Sequence, residues 1–247
     1  MQTETIAYRS GAFEATGFAA WDPAQGERRR PAVLIFPDAF GLKEHSRDVA
    51  RELAAAGYFA FAADMYGKGQ TFEGMDQVRP TLAALRSDQA AWHLRATAAL
   101  QALASHRMAD AGRVVAIGYC FGATTCLELA RTGARLAGIG LFHGTLKPGS
   151  AEENQRMRAC KVLVQTGIDD PSAPPDAVKA FALEMKAAGI DWQLNWYGDT
   201  MHSFTDPASD TWNTPGLGYN AQSDRRSWAA LQSFLGEVLM SPTRALI

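Results

Sequence analysis

Cysteine is scarce in the 247-residue sequence. Cys120, Cys126 and Cys160 form neither a Cys-x-x-Cys pair nor a Cys/His spacing that holds a metal. An odd count without such spacing excludes a disulfide framework and a zinc site, and no cofactor is expected. Charge of one sign is missing too: 24 Lys and Arg face 26 Asp and Glu, a net of −2. The one basic block, Arg28-Arg29-Arg30, reads as a solvated loop before a strand, which excludes nucleic acid as a partner. No apolar run is long enough to cross a bilayer, and Met1 to Thr5 has neither the basic nor the apolar region of a signal peptide. The expectation is a cytoplasmic protein without a membrane partner. Repeats, low-complexity tracts and linkers are absent, so a single domain over 1–247 is expected, as monomer or homodimer.

What is present is a succession of apolar runs separated by helix-like stretches. Residues 5–21 alternate loosely and predict an antiparallel strand pair at a sheet edge. Buried strands are predicted at 32–36, 58–63, 113–119, 136–142, 161–166 and 191–197. Helices are predicted at 43–56, from about 75 to 106 with a break near Pro80, from the elbow to about Arg131, at 175–188 and at about 222–240. Strands that alternate with helices give the α/β class, a mostly parallel sheet with helices on both faces. In such a sheet the functional residues lie in loops after the carboxyl ends of strands.

The chain is organised around Gly118-Tyr119-Cys120-Phe121-Gly122, where an apolar run meets a sharp turn and a helix follows. A nucleophile at the tip of such a turn has close neighbours on both sides, and glycine removes the side chains that would collide there. The turn also sets Cys120 over a helix N-terminus, whose partial positive charge favours a thiolate and the oxyanion formed after attack. The competing reading is a small buried cysteine at a glycine-rich strand end.

A cysteine nucleophile needs a base, and the base needs an acid to fix its tautomer. His202 follows the 191–197 strand and is the predicted base. His143, at the end of the 136–142 strand, competes for that role and is kept as a pocket residue. His45, His93 and His106 fall on helix-like segments and read as surface residues. The acid is Asp169 or Asp170, with Asp170 favoured because it sits further round the loop. Asp38 follows the 32–36 strand on the same face; it either assists the thiol or only starts a turn after Pro37. The backbone N–H groups of Ala39 and Phe121 are the natural oxyanion donors. Phe40, Tyr66, Phe72, Phe204, Trp212 and Tyr219 are expected to wall the pocket.

With these residues in view, the chain resembles the dienelactone hydrolase (carboxymethylenebutenolidase) family over nearly its whole length. The matches are the elbow, Gly167 to Pro171, His202-Ser203-Phe204, Pro37-Asp38-Ala39-Phe40-Gly41 and Ala62 to Gly67. The resemblance implies an eight-stranded α/β-hydrolase fold and hydrolysis of a small ester or lactone by a Cys-His-Asp triad, with neither metal nor organic cofactor. In that family a glutamate at the position of Asp38 helps switch the thiol on, and the shorter aspartate here reaches differently. The family's arginine four residues after the histidine holds a substrate carboxylate; here that residue is Asp206, which argues against an anionic dienelactone. Arg86 and Arg95 are the remaining cations that the resemblance offers for a substrate carboxylate. A different class of reading is a non-catalytic ligand-binding or redox-responsive module in which the Cys120 thiol is oxidised, with Cys126 as its nearest cysteine.

Overall fold

A computed structural model describes residues 1–240; the last seven residues of the expected 1–247 domain lie outside the described range. The chain opens with a hairpin, β1 (Gln2–Ser10) and β2 (Phe13–Trp21), turned at Gly11, whose φ of 58° suits glycine. There follow β3 (Arg30–Phe36), α1 (Glu44–Ala55), β4 (Phe59–Ala62), α2 (Met75–Ser87) and α3 (Gln89–Ser105). The second half holds β5 (Ala109–Tyr119), α4 (Phe121–Arg131), β6 (Gly138–Phe142), α5 (Ala151–Arg156), β7 (Lys161–Gly167), α6 (Pro175–Ala188), β8 (Trp192–Tyr197) and α7 (Ala221–Leu235). A π-turn, Gly236–Met240, continues α7.

The eight strands form one sheet in the order β1-β2-β4-β3-β5-β6-β7-β8. Pairing is antiparallel for β1·β2 and β2·β4 and parallel from β4 onward. This is the mostly parallel eight-stranded sheet that the alternation of elements predicts. Because successive strand side chains point to opposite faces, the central strands feed two apolar layers. Ala32, Leu34, Phe36, Val114 and Ala116 join the layer under α2, α3, α4 and α6. Val33, Ile35, Val115 and Ile117 join the layer under α1 and α7. Both faces are covered, so β3 and β5 carry near-continuous apolar runs, and each buried Leu, Ile or Phe contributes about 1.5–3 kcal/mol.

Three sequence-based expectations need correction. The break in the long helical region falls at Asp88 and not at Pro80. Pro80 lies near the start of α2, where it forfeits one hydrogen bond, whereas the Asp88 side chain accepts from the Ala91 N–H and starts a new helix. The stretch between β6 and β7 is not all loop. Ser150 and Glu153 form a reciprocal capping box at the head of α5, a signal readable as Ser-x-x-Glu. The histidines expected at the surface are partly buried: His45 packs edge-on to Tyr119, His93 pairs with Glu128 and His106 stacks on Phe59.

Candidate active site

Sheet topology brings the loops after β3, β5, β6 and β7, together with the segment after β8, to one end of the molecule. Cys120 sits between β5 and α4 with φ 51° and ψ −111°, a conformation that non-glycine residues rarely adopt. The glycines on either side are required sterically. A Cβ on Gly118 would lie 2.1 Å from the Gly122 carbonyl oxygen, and one on Gly122 would lie 2.0 Å from that of Phe36. The elbow therefore clasps the end of β3 as well as its own helix. Cys120 is anchored sideways too, its N–H donating to the Phe142 carbonyl at 3.0 Å.

The acid and base loops are locked to one another. Gly167 approaches the Thr200 backbone so closely that a Cβ would lie 2.0 Å from its oxygen, and the Asp169 N–H donates to the same carbonyl. His202 donates its N–H to Gly216 and accepts from Gly218, while Gly216 packs against Pro171 beside the acid. Out of this clasp the His202 Nδ1–H points at Asp170, 3.0 and 2.9 Å from its two oxygens. Asp170 is 2% exposed and its Oδ1 also accepts from the Ser172 N–H, whereas Asp169 is exposed. Of the two adjacent aspartates, Asp170 is the one that meets the His202 ring.

Burial of the His202 ring opposes protonation, but Cys120 and the Asp170 carboxylate beside it outweigh it. The imidazole is raised to about 10. A ring set between a cysteine and a buried carboxylate is a favourable place for an imidazolium.

The remaining predicted residues divide by where they point. Ala39 and Phe121 flank the elbow, and among the described residues no turn, loop or cap carbonyl accepts from either N–H. The Tyr66 hydroxyl donates to the Ala39 carbonyl at 2.8 Å and fixes that peptide. Tyr66 is held in turn by Asp64, which accepts from the N–H groups of Tyr66, Gly67 and Gly69. Asp38 accepts from the Phe40 N–H at 2.7 Å and its carboxyl is pushed up to about 7. Burial is the main cause, the negative charge of Asp206 adds to it, and the Phe40 amide, Lys43 and His202 oppose it.

Three residues expected in the pocket, Phe204, His143 and Arg95, are engaged elsewhere. Phe204 and His143 are buried beneath the surface of the site, packed edge to face on each other. Arg95 donates to the Met65 carbonyl at 3.0 Å and lies over the Phe13 ring, and Arg86 is exposed at the end of α2. Phe40 and Trp212 do face open space: they line a groove of about 880 Å³ between α1, α7 and the 205–212 segment, next to Asp38 and Asp206. Cys120 and His202 do not line this groove. Cys126 is fully buried in α4, and burial beside Cys160 raises its thiol well above the ordinary range.

Sequence reasoning missed Thr205, whose hydroxyl lies 3.0 Å from the His143 Nε2. It also missed the Asp64 hub. Asp64 followed by Tyr66-Gly67 and Gly69 is an aspartate-glycine turn signal that was available.

Known proteins provide independent comparison. A profile of the dienelactone hydrolase family matches residues 17–239. A carboxymethylenebutenolidase from a Pseudomonas species is 28% identical, the alignment covering 76% of this chain and 78% of that one. A probable 2-oxo-3-(5-oxofuran-2-ylidene)propanoate lactonase from a Bradyrhizobium species is 27% identical over 74% of this chain and 77% of its own. Among solved structures, a dienelactone hydrolase-like promiscuous phosphotriesterase from metagenomic libraries superposes with a TM-score of 0.92 at 41% identity, covering 96% of this chain and 98% of that one. A family match spanning almost the whole sheet, joined to an elbow and strand-end loops in the expected order, places the chain in the dienelactone hydrolase family of α/β-hydrolases.

Proposed function

We propose that this hydrolase of ester or lactone bonds works by thioester catalysis, with Cys120 as nucleophile, His202 as base and acid, and Asp170 as the group that fixes the imidazole. The observation that carries this reading is the His202 Nδ1–H aimed at both Asp170 oxygens on a ring whose protonation is favoured by Cys120. The thiolate attacks the substrate carbonyl carbon, and the resulting oxyanion is received by the N–H groups of Ala39 and Phe121. Collapse breaks the carbon–oxygen bond while His202 gives its proton to the departing alkoxide. His202 then takes a proton from water, the hydroxide attacks the thioester carbon, and the carbon–sulfur bond breaks to release the acid and restore the thiolate.

The substrate class is a small ester or lactone without a carboxylate beside the bond cleaved. Asp206 stands on the histidine loop, and Arg95 is spent on Met65 and Phe13. The test is a time course of intact mass with activated aryl esters, unsubstituted lactones and a phosphotriester, for wild type beside Cys120→Ala. A transient acyl increment confined to wild type, with turnover, supports the reading. Turnover that survives Cys120→Ala ends it.

Asp38 provides a separate pH prediction. Its folded value of about 7 lies above the ordinary 3.8, so the ionised form is disfavoured in the folded chain. Its contribution to stability is complete below pH 3.8 and is lost as pH rises through 7. Asp38→Asn removes that loss. Thermal melts are expected to coincide with wild type at pH 4 and to rise by about 2–4 °C or more at pH 8, the equivalent of roughly 1 kcal/mol in a domain of this size. Equal shifts at both pH values would contradict a carboxyl whose ionised form is disfavoured in the folded chain.

A further inference from the structure

We propose that His143 is a positioning residue for His202: it never meets substrate, but ties the loop that carries the base to the strands that carry the nucleophile and the acid. This rests on His202 being the base that serves Cys120. Four contacts converge on two residues at the end of β6. The Phe142 carbonyl accepts the Cys120 N–H at 3.0 Å. The His143 N–H donates to the Gln165 carbonyl of β7 at 2.8 Å, two residues before the Gly167 to Asp170 loop. The His143 ring then stands edge-on to the His202 ring with centroids 5.1 Å apart, and its Nε2 pairs with the Thr205 hydroxyl three residues beyond the base. The β6 end thus touches the support of all three groups.

The conformation of His143 fits such a role. Its φ is 39°, a left-handed value that persists in a non-glycine residue where the surroundings over-determine it. The ring is 2% exposed, so it has no route to a substrate. Its Nδ1 has no hydrogen-bond partner among the described side chains and backbone, which leaves the Thr205 contact as its one side-chain hydrogen bond. The histidine loop needs this link because Ser203, between the base and Thr205, also has a positive φ of 61°. Burial pushes the His143 imidazole well below its ordinary value, with the His202 charge and His45 adding to the effect. The ring therefore stays neutral beside an imidazolium, where a permanent cation would repel the base.

An imidazole supplies two things at this place, flat packing against His202 and a polar atom for Thr205, and they can be separated. His143→Phe keeps a ring and removes the polar atom, while Thr205→Val removes the hydroxyl and leaves His143. The kinetic probe is hydrolysis of whichever activated aryl ester wild type turns over. The spectroscopic probe is the pH titration of the His202 ring proton resonances, assigned with His202→Gln. Cys120, Asp170, Asp38 and His143 are the titratable groups that act on that ring or respond to it.

The expected result for folded His143→Phe is a kcat about 10–100-fold lower, in line with a base displaced by roughly 1 Å, with KM unchanged within about twofold. The His202 midpoint should fall from about 10 toward 6.5 as its contact with Cys120 loosens. Thr205→Val should move both readouts the same way by a smaller amount, and Thr205→Ser should recover most of the loss. Because the two changes break one bond, the double variant should be no worse than His143→Phe alone. A purely structural residue would lower the melting temperature without moving the His202 titration. Wild-type kcat and an unmoved His202 midpoint in folded His143→Phe overturn the proposal; if that variant does not fold, the same outcome in Thr205→Val does so. Failure of the underlying reading looks different, since wild-type His202 would itself titrate near 6.5 or Cys120→Ala would retain turnover.

Discussion

Cys120→Ala is expected to lower kcat for an activated aryl ester by about 10⁴-fold or more and to abolish the acyl adduct, with the fold retained. The size follows from what is removed. The elbow places one nucleophilic atom at the tip of a turn whose glycines approach backbone carbonyls to about 2 Å where a Cβ would be, so no neighbouring side chain can take its place. The oxyanion donors at Ala39 and Phe121 are backbone groups and survive the change, which leaves a residual rate above the uncatalysed one. Retention of fold is expected because Cys120 is only partly buried, and alanine keeps the Cβ in the strained backbone conformation already present. Cys120→Ser separates nucleophilicity from packing: it preserves shape and adds a hydroxyl, yet the His202 imidazolium loses the thiolate that contributes most to its raised value. The measurement is initial rate beside intact mass, with circular dichroism as the check on folding. A fall of less than tenfold in kcat would mean that another group attacks the carbonyl.

The parts of this site that could be read from sequence are those with a steric or ordering signal. Gly118 and Gly122 are needed because backbone passes where side chains would be, and that need shows in any sequence as two glycines around a nucleophile. The ends of β3, β5, β7 and β8 are legible because apolar runs stop at polar, glycine-containing loops, and the parallel order then puts those loops on one edge. Side-chain direction had no such signal. Phe204 follows the base by two residues and would have looked like a pocket wall in any listing of aromatics, but the positive φ at Ser203 turns it inward beneath His143. Arg95 is one of two arginines that the long helical region offers, and the Met65 carbonyl and Phe13 ring engage its guanidinium. Both outcomes depend on contacts between residues far apart in the chain. Asp38 is intermediate: its place after β3 was evident, whereas the charge of Asp206 acting on it from another loop was not.

The groove beside Asp38 does not include Cys120 or His202 in its lining. Its walls are α1 and α7, the two helices of one face, and its floor includes Tyr119 and Phe142 at the ends of β5 and β6. Asp38, Phe142 and Thr205 line the groove and are also tied to the site: His202 acts on the Asp38 carboxyl, the Phe142 carbonyl holds the Cys120 N–H, and Thr205 holds His143.

Asp170→Asn is expected to cut kcat by about 10⁴-fold while Asp169→Asn leaves it within about twofold, a contrast that follows from the position of each side chain. Asp169 is exposed and only its backbone N–H is engaged, by Thr200. Asp170 is buried against Nδ1 of His202 with both oxygens within 3.0 Å. An asparagine there can offer its amide N–H₂ to Nδ1, which selects the tautomer that carries its proton on Nε2 and cannot accept one from Cys120. The wild-type imidazole, raised to about 10, is protonated in the folded chain over a range where an ordinary histidine is neutral. Its contribution to stability is therefore complete below pH 6.5 and is lost as pH rises through 10. With Asp170 neutral, the folded value moves down toward 6.5, so the stability lost by Asp170→Asn should be greatest below pH 6.5 and shrink toward pH 10. Rates and thermal melts at pH 6, 8 and 10 for the two variants test both statements at once. Equal rate losses in Asp169→Asn and Asp170→Asn would mean that the loop, and not one carboxylate, holds the base.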